Sequence, residues 1–204
     1  MTKTVRSFAL QLPCALLLAY GSHAQAQLLE FDPAQTKVEF TLADVLHTVQ
    51  GTFRLKRGSV RLDAATSKIS GELVVDATSG ASGSSARDHR MHSAILESGR
   101  YPEIVFRPDK LEGAIPLQGT SSVKLHGTFR IHGADHEITL PAEVEAANGQ
   151  YTATLHFVVP YVQWGMKNPS TLILRVSDKV NITIRTIARP SAASASRLEN
   201  GSGR

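Results

Sequence analysis

From Lys37 to Thr186, apolar side chains recur at every second position, in run after run. Val38, Phe40 and Leu42 alternate with Lys37, Glu39 and Thr41; Phe53 and Leu55 alternate with Thr52, Arg54 and Lys56; Val60 and Leu62 flank Arg61. The same period continues through Ile69, Leu73 and Val75, through Ile104 and Phe106, through Val123, Leu125, Phe129 and Ile131, and through Ile138 and Leu140. Tyr151, Ala153, Leu155, Phe157 and Val159 form a further row, and Val180, Ile182, Ile184 and the polar Thr186 form the last. A strand sends successive side chains to opposite faces, so period two puts one side of each run against an apolar interior and the other in water. Short turn signals join the runs: Lys56-Arg57-Gly58, His132-Gly133-Ala134 and Asn148-Gly149, the last a strong hairpin dipeptide. About eight to ten antiparallel strands are expected. A sheet that large with one apolar face must fold over or close, and closure removes its edges. The pattern therefore predicts an all-β fold, an antiparallel barrel of about eight strands. Such a barrel has room inside for packed side chains or one small ligand. A β-sandwich satisfies the alternation nearly as well.

One stretch breaks the rhythm. Gly80-Ala-Ser-Gly83 reads as a loop, Ser84 or Ser85 offers a hydroxyl to cap a helix, and Ala86 to Ile95 reads as a short helix. Gly99 and Tyr101-Pro102 end this helical insertion, near residues 84–96. Met91 and Ile95, four apart and joined by Leu96, would face inward, with Arg87, His89 and Arg90 turned toward water.

The ends of the chain differ in composition from its middle. Lys3 and Arg6, the apolar run Phe8 to Tyr20 and the small residues before Ala26 form a secretory signal peptide over 1–26. That run is shorter than the roughly 20 residues of a spanning helix, and no later stretch is longer, so no transmembrane anchor is expected. Export to the periplasm or beyond follows. Residues 190–204, rich in Ser, Ala and Gly, read as a disordered tail. One domain, 27–189, lies between. The single cysteine, Cys14, lies in the leader, so the exported chain would have no disulfide and no thiolate site. The formal charge is +4. Without the leader's two basic residues, 20 Lys and Arg face 18 Asp and Glu. These charges alternate along the strands and form no basic block, which argues against nucleic acid.

Candidate chemistry concentrates in the helical insertion. Asp88 and His92 are four apart and His89 and His92 three apart, so pairs meet on one helix face. A zinc site needs three or four ligands, and no His-Glu-x-x-His spacing, nucleophile elbow or glycine-rich phosphate loop is present. No metal and no cofactor is expected, nor a catalytic residue. The alternative is an enzyme acting on a lipid, with Asp88, His89 and His92 as a metal site or acid–base group.

The order of motifs resembles the YceI-like family of exported polyisoprenoid- and lipid-binding proteins. Ala86-Arg-Asp-His-Arg-Met-His-Ser93 is similar to its Arg-Asp-x-x-Leu segment, with Met91 in place of Leu, and Tyr101-Pro-Glu-Ile-Val-Phe106 to its Tyr-Pro-x-Ile-x-Phe strand. Val38-Glu-Phe40, Gly51-Thr-Phe53, Leu125 to Gly133 and Lys179 to Ile184 extend the resemblance over residues 28–188. Trp164-Gly165 keeps an aromatic-glycine pair, without the Arg that often precedes it in the family. The resemblance implies an extended, lipocalin-like barrel with an elongated apolar cavity. It also implies a long-chain amphiphile as ligand (a polyisoprenoid, a quinone-like molecule or a fatty acyl lipid) and a possible homodimer. Burial alone can hold such a chain, at roughly 0.8 kcal/mol per CH₂. Phe40, Phe53, Leu73, Met91, Ile104, Phe106, Leu125, Phe129, Leu155, Phe157, Trp164 and Ile182 are the expected lining. Arg87, Asp88 and His92 are expected at the cavity mouth, beside the head group.

Overall fold

The computed structural model describes residues 26–43, 48–63, 66–171 and 175–191. The expected leader falls almost wholly outside them, as does nearly all of the expected tail. Nine strands appear among the described residues: β1 (Gln27–Phe31), β2 (Lys37–Ala43), β3 (Thr48–Asp63), β4 (Lys68–Ala81), β5 (Glu103–Glu112), β6 (Gly119–Ile131), β7 (Ala134–Ala147), β8 (Gln150–Val159) and β9 (Val180–Pro190). All neighbours are antiparallel, and the order from β3 through β2, β9, β8, β7, β6, β5 and β4 returns to β3. The sheet is a closed eight-strand barrel with one extra strand. No helix among the described residues is long and apolar enough to cross a membrane.

The extra strand has a simple origin. β1 pairs with the distal part of β3 and with the end of β9, while β2 pairs with the beginnings of the same two strands. β1 and β2 thus share one barrel position, end to end, separated by a 3-10 turn at Pro33–Gln35. The gap in the ladder leaves polar groups inside, and they are paired. The Thr36 hydroxyl donates to Asp32 O at 2.7 Å, so the Thr186 hydroxyl, 2.6 Å away, donates to Thr36. This pairing accounts for the polar residue in the last apolar row, where Thr186 is only 1% exposed.

β3 corrects the expected turn at Lys56-Arg57-Gly58. The strand runs straight through it, and Leu55 faces Val75 while Arg57 faces Val74, which leaves Lys56 unpaired. A bulge of one residue reverses the parity of a strand. Phe53 and Leu55 therefore point inward before it, and Val60 and Leu62 after it. A second bulge in β5 leaves Asp109 unpaired between Pro108 and Lys110, with Pro108 at the irregularity, where a missing amide does least harm. The other two turns form as expected. His132 and Gly133 have φ of 51° and 77°, and Asn148 and Gly149 have 52° and 71°, the two consecutive left-handed residues of a type I′ hairpin.

Outside the barrel, Val74 is fully buried although its strand neighbours Leu73 and Val75 face in. Its partners in register are Arg57 and Val105. Arg57 reaches Glu72 and Glu103, each at 3.0 Å, and Arg107 reaches Glu72 at 3.3 Å. The stems of these ion-paired side chains cover Val74.

Candidate functional site: a divided apolar cavity

Among the described residues, the barrel interior holds a larger and a smaller cavity. The larger, about 500 Å³, is bordered by inward residues of β2, β3, β6, β8 and β9, by the helical insertion, and by Tyr161, Met166 and Pro169 of the segment after β8. The smaller, about 110 Å³, lies toward β1 and the far ends of β6 and β7. Val38, Val75, Ile104, Phe129, Phe157 and Ile184 border both. They form a girdle across a single apolar interior.

Of the expected lining, Phe40, Phe53, Met91, Ile104, Phe129, Phe157 and Ile182 border the larger cavity. Leu73, Phe106, Leu125 and Leu155 border only the smaller. Trp164 borders neither. Its indole stacks on His136 with centroids 4.1 Å apart and rings 7° from parallel, and lies 5.8 Å from Phe129. It packs behind the wall. Burial pushes the pKa of His136 down, consistent with an imidazole pressed against an indole. The sequence reading missed Val38, Leu42, Val49, Ile131 and Met166 as lining residues. All but Met166 lie in, or next to, the alternating rows, so their parity was already visible. Met166 comes from a segment without periodicity.

The insertion is one α-helical turn and a half, α1 (Ser85–Arg90), followed directly by a π-helical turn at Met91–Ile95. Ser84 sits at the N-cap, but its hydroxyl makes no capping bond. Asp88 ties the start instead: it accepts from the amide of Ser82 at 2.8 Å and from the Ser82 hydroxyl. These bonds, the hydroxyl first, hold the Asp88 carboxyl below its usual pKa. His92 ties the other end. Its Nε2 lies 2.9 Å from Gly80 O and its Nδ1 2.9 Å from Ser98 Oγ. A carbonyl only accepts, so Nε2–H donates to it, and Nδ1 pairs with the Ser98 hydroxyl. Gly80 also lets Phe53 and Met91 pack onto the strand: a Cβ there would lie 2.5 Å from the Phe53 ring and 2.7 Å from Met91 Cε. Wider π turns recur at functional sites; this one brings Met91, Ile95 and Leu96 to the cavity.

Asp88 and His92 are therefore fastenings and do not border the cavity, contrary to the expected head-group role. Arg87 does border it, and so does Arg90, which was expected to face water. Asp88 and His92 spend their ligand atoms on Ser82, Ser98 and Gly80, and with His89 they form no three-ligand cluster among the described residues. A different cluster appears on the outer wall. The bulge at Asp109 sets its carboxylate 2.8 Å from His126 Nδ1, and Glu137 lies 3.4 Å from Nε2. The hydrogen bond to Asp109 pushes the His126 pKa up, aided by the charge of Glu137. Three residues on three strands, 28 positions from first to last, leave no local motif to read.

Comparison with known proteins now bears on this architecture. The YceI-like domain model matches residues 29–188. The chain belongs to the YceI-like family. Among solved structures, Burkholderia cenocepacia BcnA matches with a TM-score of 0.64 at 18% identity, over 77% of this chain and 98% of that one. A polyisoprenoid binding domain from Saccharophagus degradans, implicated in plant cell wall breakdown, matches with a TM-score of 0.64 at 15% identity, over 80% and 98%. A Campylobacter jejuni YCEI protein matches with 0.54 at 16% identity, over 94% of each chain. At these identities the likeness is one of fold. No curated protein matches the chain.

Proposed function

We propose that this YceI-like protein is an exported binding protein that holds the hydrocarbon of a long-chain amphiphile (a polyisoprenoid, quinone-like or fatty acyl lipid) in the larger cavity. The carrying observation is the cavity itself: about 500 Å³ whose border is apolar except for Tyr161, two serines and two arginines at the helical insertion. That volume lies in the range of small-molecule sites. A protein interior normally closes such voids, because unfilled volume forfeits contacts. The binding described for the Saccharophagus degradans relative agrees with this reading, and the basic-apolar-small leader supports export. The alternative, a lipid-modifying enzyme using Asp88, His89 and His92, lacks a convergent group in this geometry.

The test is organic extraction of the protein purified from its native source, followed by mass spectrometry. One long-chain lipid per chain is expected. A native protein that yields none, and whose cavity takes up no apolar probe after delipidation, overturns the reading.

A further inference from the structure

We propose that the mouth of the larger cavity selects an anionic head group, a carboxylate or phosphate monoester, through Arg87 and Arg90. The inference rests on the lipid-binding reading above and adds the class of head group. The charged side chains that border the cavity are these two guanidinium groups, with Ser82 and Ser84 beside them; no carboxylate among the described residues borders it. Elsewhere on the barrel, Lys37, Arg54, Lys56, Arg57, Arg107, Lys110, Arg130 and Arg189 each reach a carboxylate. Arg61, Lys68, Lys124 and Arg185 reach none among the described residues either; what sets Arg87 and Arg90 apart is that they stand without such a partner at the rim of an apolar hole.

The two differ in how they are held. Arg87 donates from Nε to Ser82 Oγ at 2.9 Å and from Nη2 to Ser82 O at 3.1 Å. These bonds use part of a five-donor fork and fix its plane, leaving donors for a ligand. Asp88 adjoins it in sequence, but its carboxylate is taken by the Ser82 amide and hydroxyl, which also orients that hydroxyl to accept from Arg87. Arg90, three residues on and so on a neighbouring face of the turn, makes no hydrogen bond or ion pair with any described residue. A fixed fork beside an untethered one suits a planar carboxylate or a phosphate, which two guanidinium groups can clamp. A neutral alcohol or quinone would leave Arg90 without a counter-charge and Arg87 with that of Asp88 alone.

The test uses the delipidated full-length mature protein loaded with the neutral probe N-phenylnaphthylamine, displaced by tetradecanoate, tetradecyl phosphate or tetradecanol at neutral pH. Both anions should displace the probe at concentrations about tenfold lower than the alcohol does. High salt should shrink that margin, since both groups reach solvent. Arg90→Gln, and more fully R87Q/R90Q, should remove the margin between the anions and tetradecanol, each read against the variant's own probe affinity; Lys124→Gln on the outer wall should keep it. Equal displacement by both anions and the alcohol, or a margin that survives in R87Q/R90Q, overturns the head-group inference and leaves the binding reading standing. Failure of the probe and all three compounds to bind overturns both. A tetradecyl phosphate margin without a tetradecanoate margin supports the inference and narrows it to phosphate.

Discussion

At one end of the barrel, Leu62, Ile69, Leu111, Leu140 and Val144 are each at most 5% exposed, and about 110 Å³ remains among the side chains. At the other end the same strands enclose about 500 Å³. The difference lies in what closes each end. At the narrow end, small residues such as Ala142, Ala153 and Ala188 let the walls interlock, and Ile115 comes in from the β5–β6 loop. At the wide end the lids are a helical turn and a turn after β8, which offer Met91, Ile95, Tyr161 and Met166 but do not fill the space. One end is packed to hold the fold, and the other leaves the space that the proposed guest would fill.

The largest test of that division is a truncation at each end. Leu140→Ala should destabilise the delipidated protein by about 3 kcal/mol, since it opens a void in a packed region. Ile182→Ala borders a hole that already exists, so it should cost less than about 1.5 kcal/mol. Urea unfolding of both variants reads the contrast, and equal losses would break it. The converse substitution comes next. Ile182→Trp should occupy the larger cavity and abolish co-purified lipid, while stability stays within about 1 kcal/mol of the parent, because the added volume enters empty space. Extracted lipid per chain, measured beside the urea midpoint, checks both parts.

The wide end carries a smaller, local prediction. His92 fastens the π turn through Gly80 and Ser98. His92→Phe keeps the bulk and removes two hydrogen bonds, so the insertion over 85–96 should open more readily, by about 1–2 kcal/mol. Amide hydrogen exchange should show faster exchange there, with the protection of β6 and β7 unchanged. If protection falls evenly across the barrel, the lid is part of the packed fold and the two ends are not independent.

The uneven legibility of the sequence follows the same line. Strand rows were readable because one face of each strand is wet and the other is not, and the type I′ turns because they demand left-handed residues. The bulges at Lys56 and Asp109 were not. A bulge leaves only a change of parity, which Lys56-Arg57-Gly58 made look like a turn. At the cavity, Phe40, Phe129 and Ile182 were found from parity, yet parity says only inside or outside, so it could not separate the residues around empty space from Leu73 or Leu155 at the packed end. Trp164 and His92 were misplaced because they lie in segments without a strand period, where direction is set by particular partners: an imidazole face for Trp164, a carbonyl and a serine for His92.

The smallest prediction sets the outer wall of the narrow end against the inner packing of the wide end, through two histidines whose pKa values move in opposite directions. His126 gains Asp109 and Glu137 on folding, which raises its pKa. Its stabilisation is therefore full below the unfolded value of about 6.5 and is lost as pH rises through the higher folded value. His136 is desolvated against Trp164, which lowers its pKa. The unfolded chain then binds its proton more readily, so this site favours folding as pH rises through the same region. In the parent the two slopes oppose each other. His126→Gln should leave the rising slope of His136 exposed, so that its deficit against the parent is present at about pH 5.5 and gone by about pH 8. The effect should be slight, because His126 is partly exposed, Asp109 and Glu137 are exposed, and their pairs are screened. Proton NMR titration checks the cause directly: the His126 ring should titrate above the ordinary histidine midpoint and the His136 ring below it. A shared midpoint would mean that neither environment holds in solution.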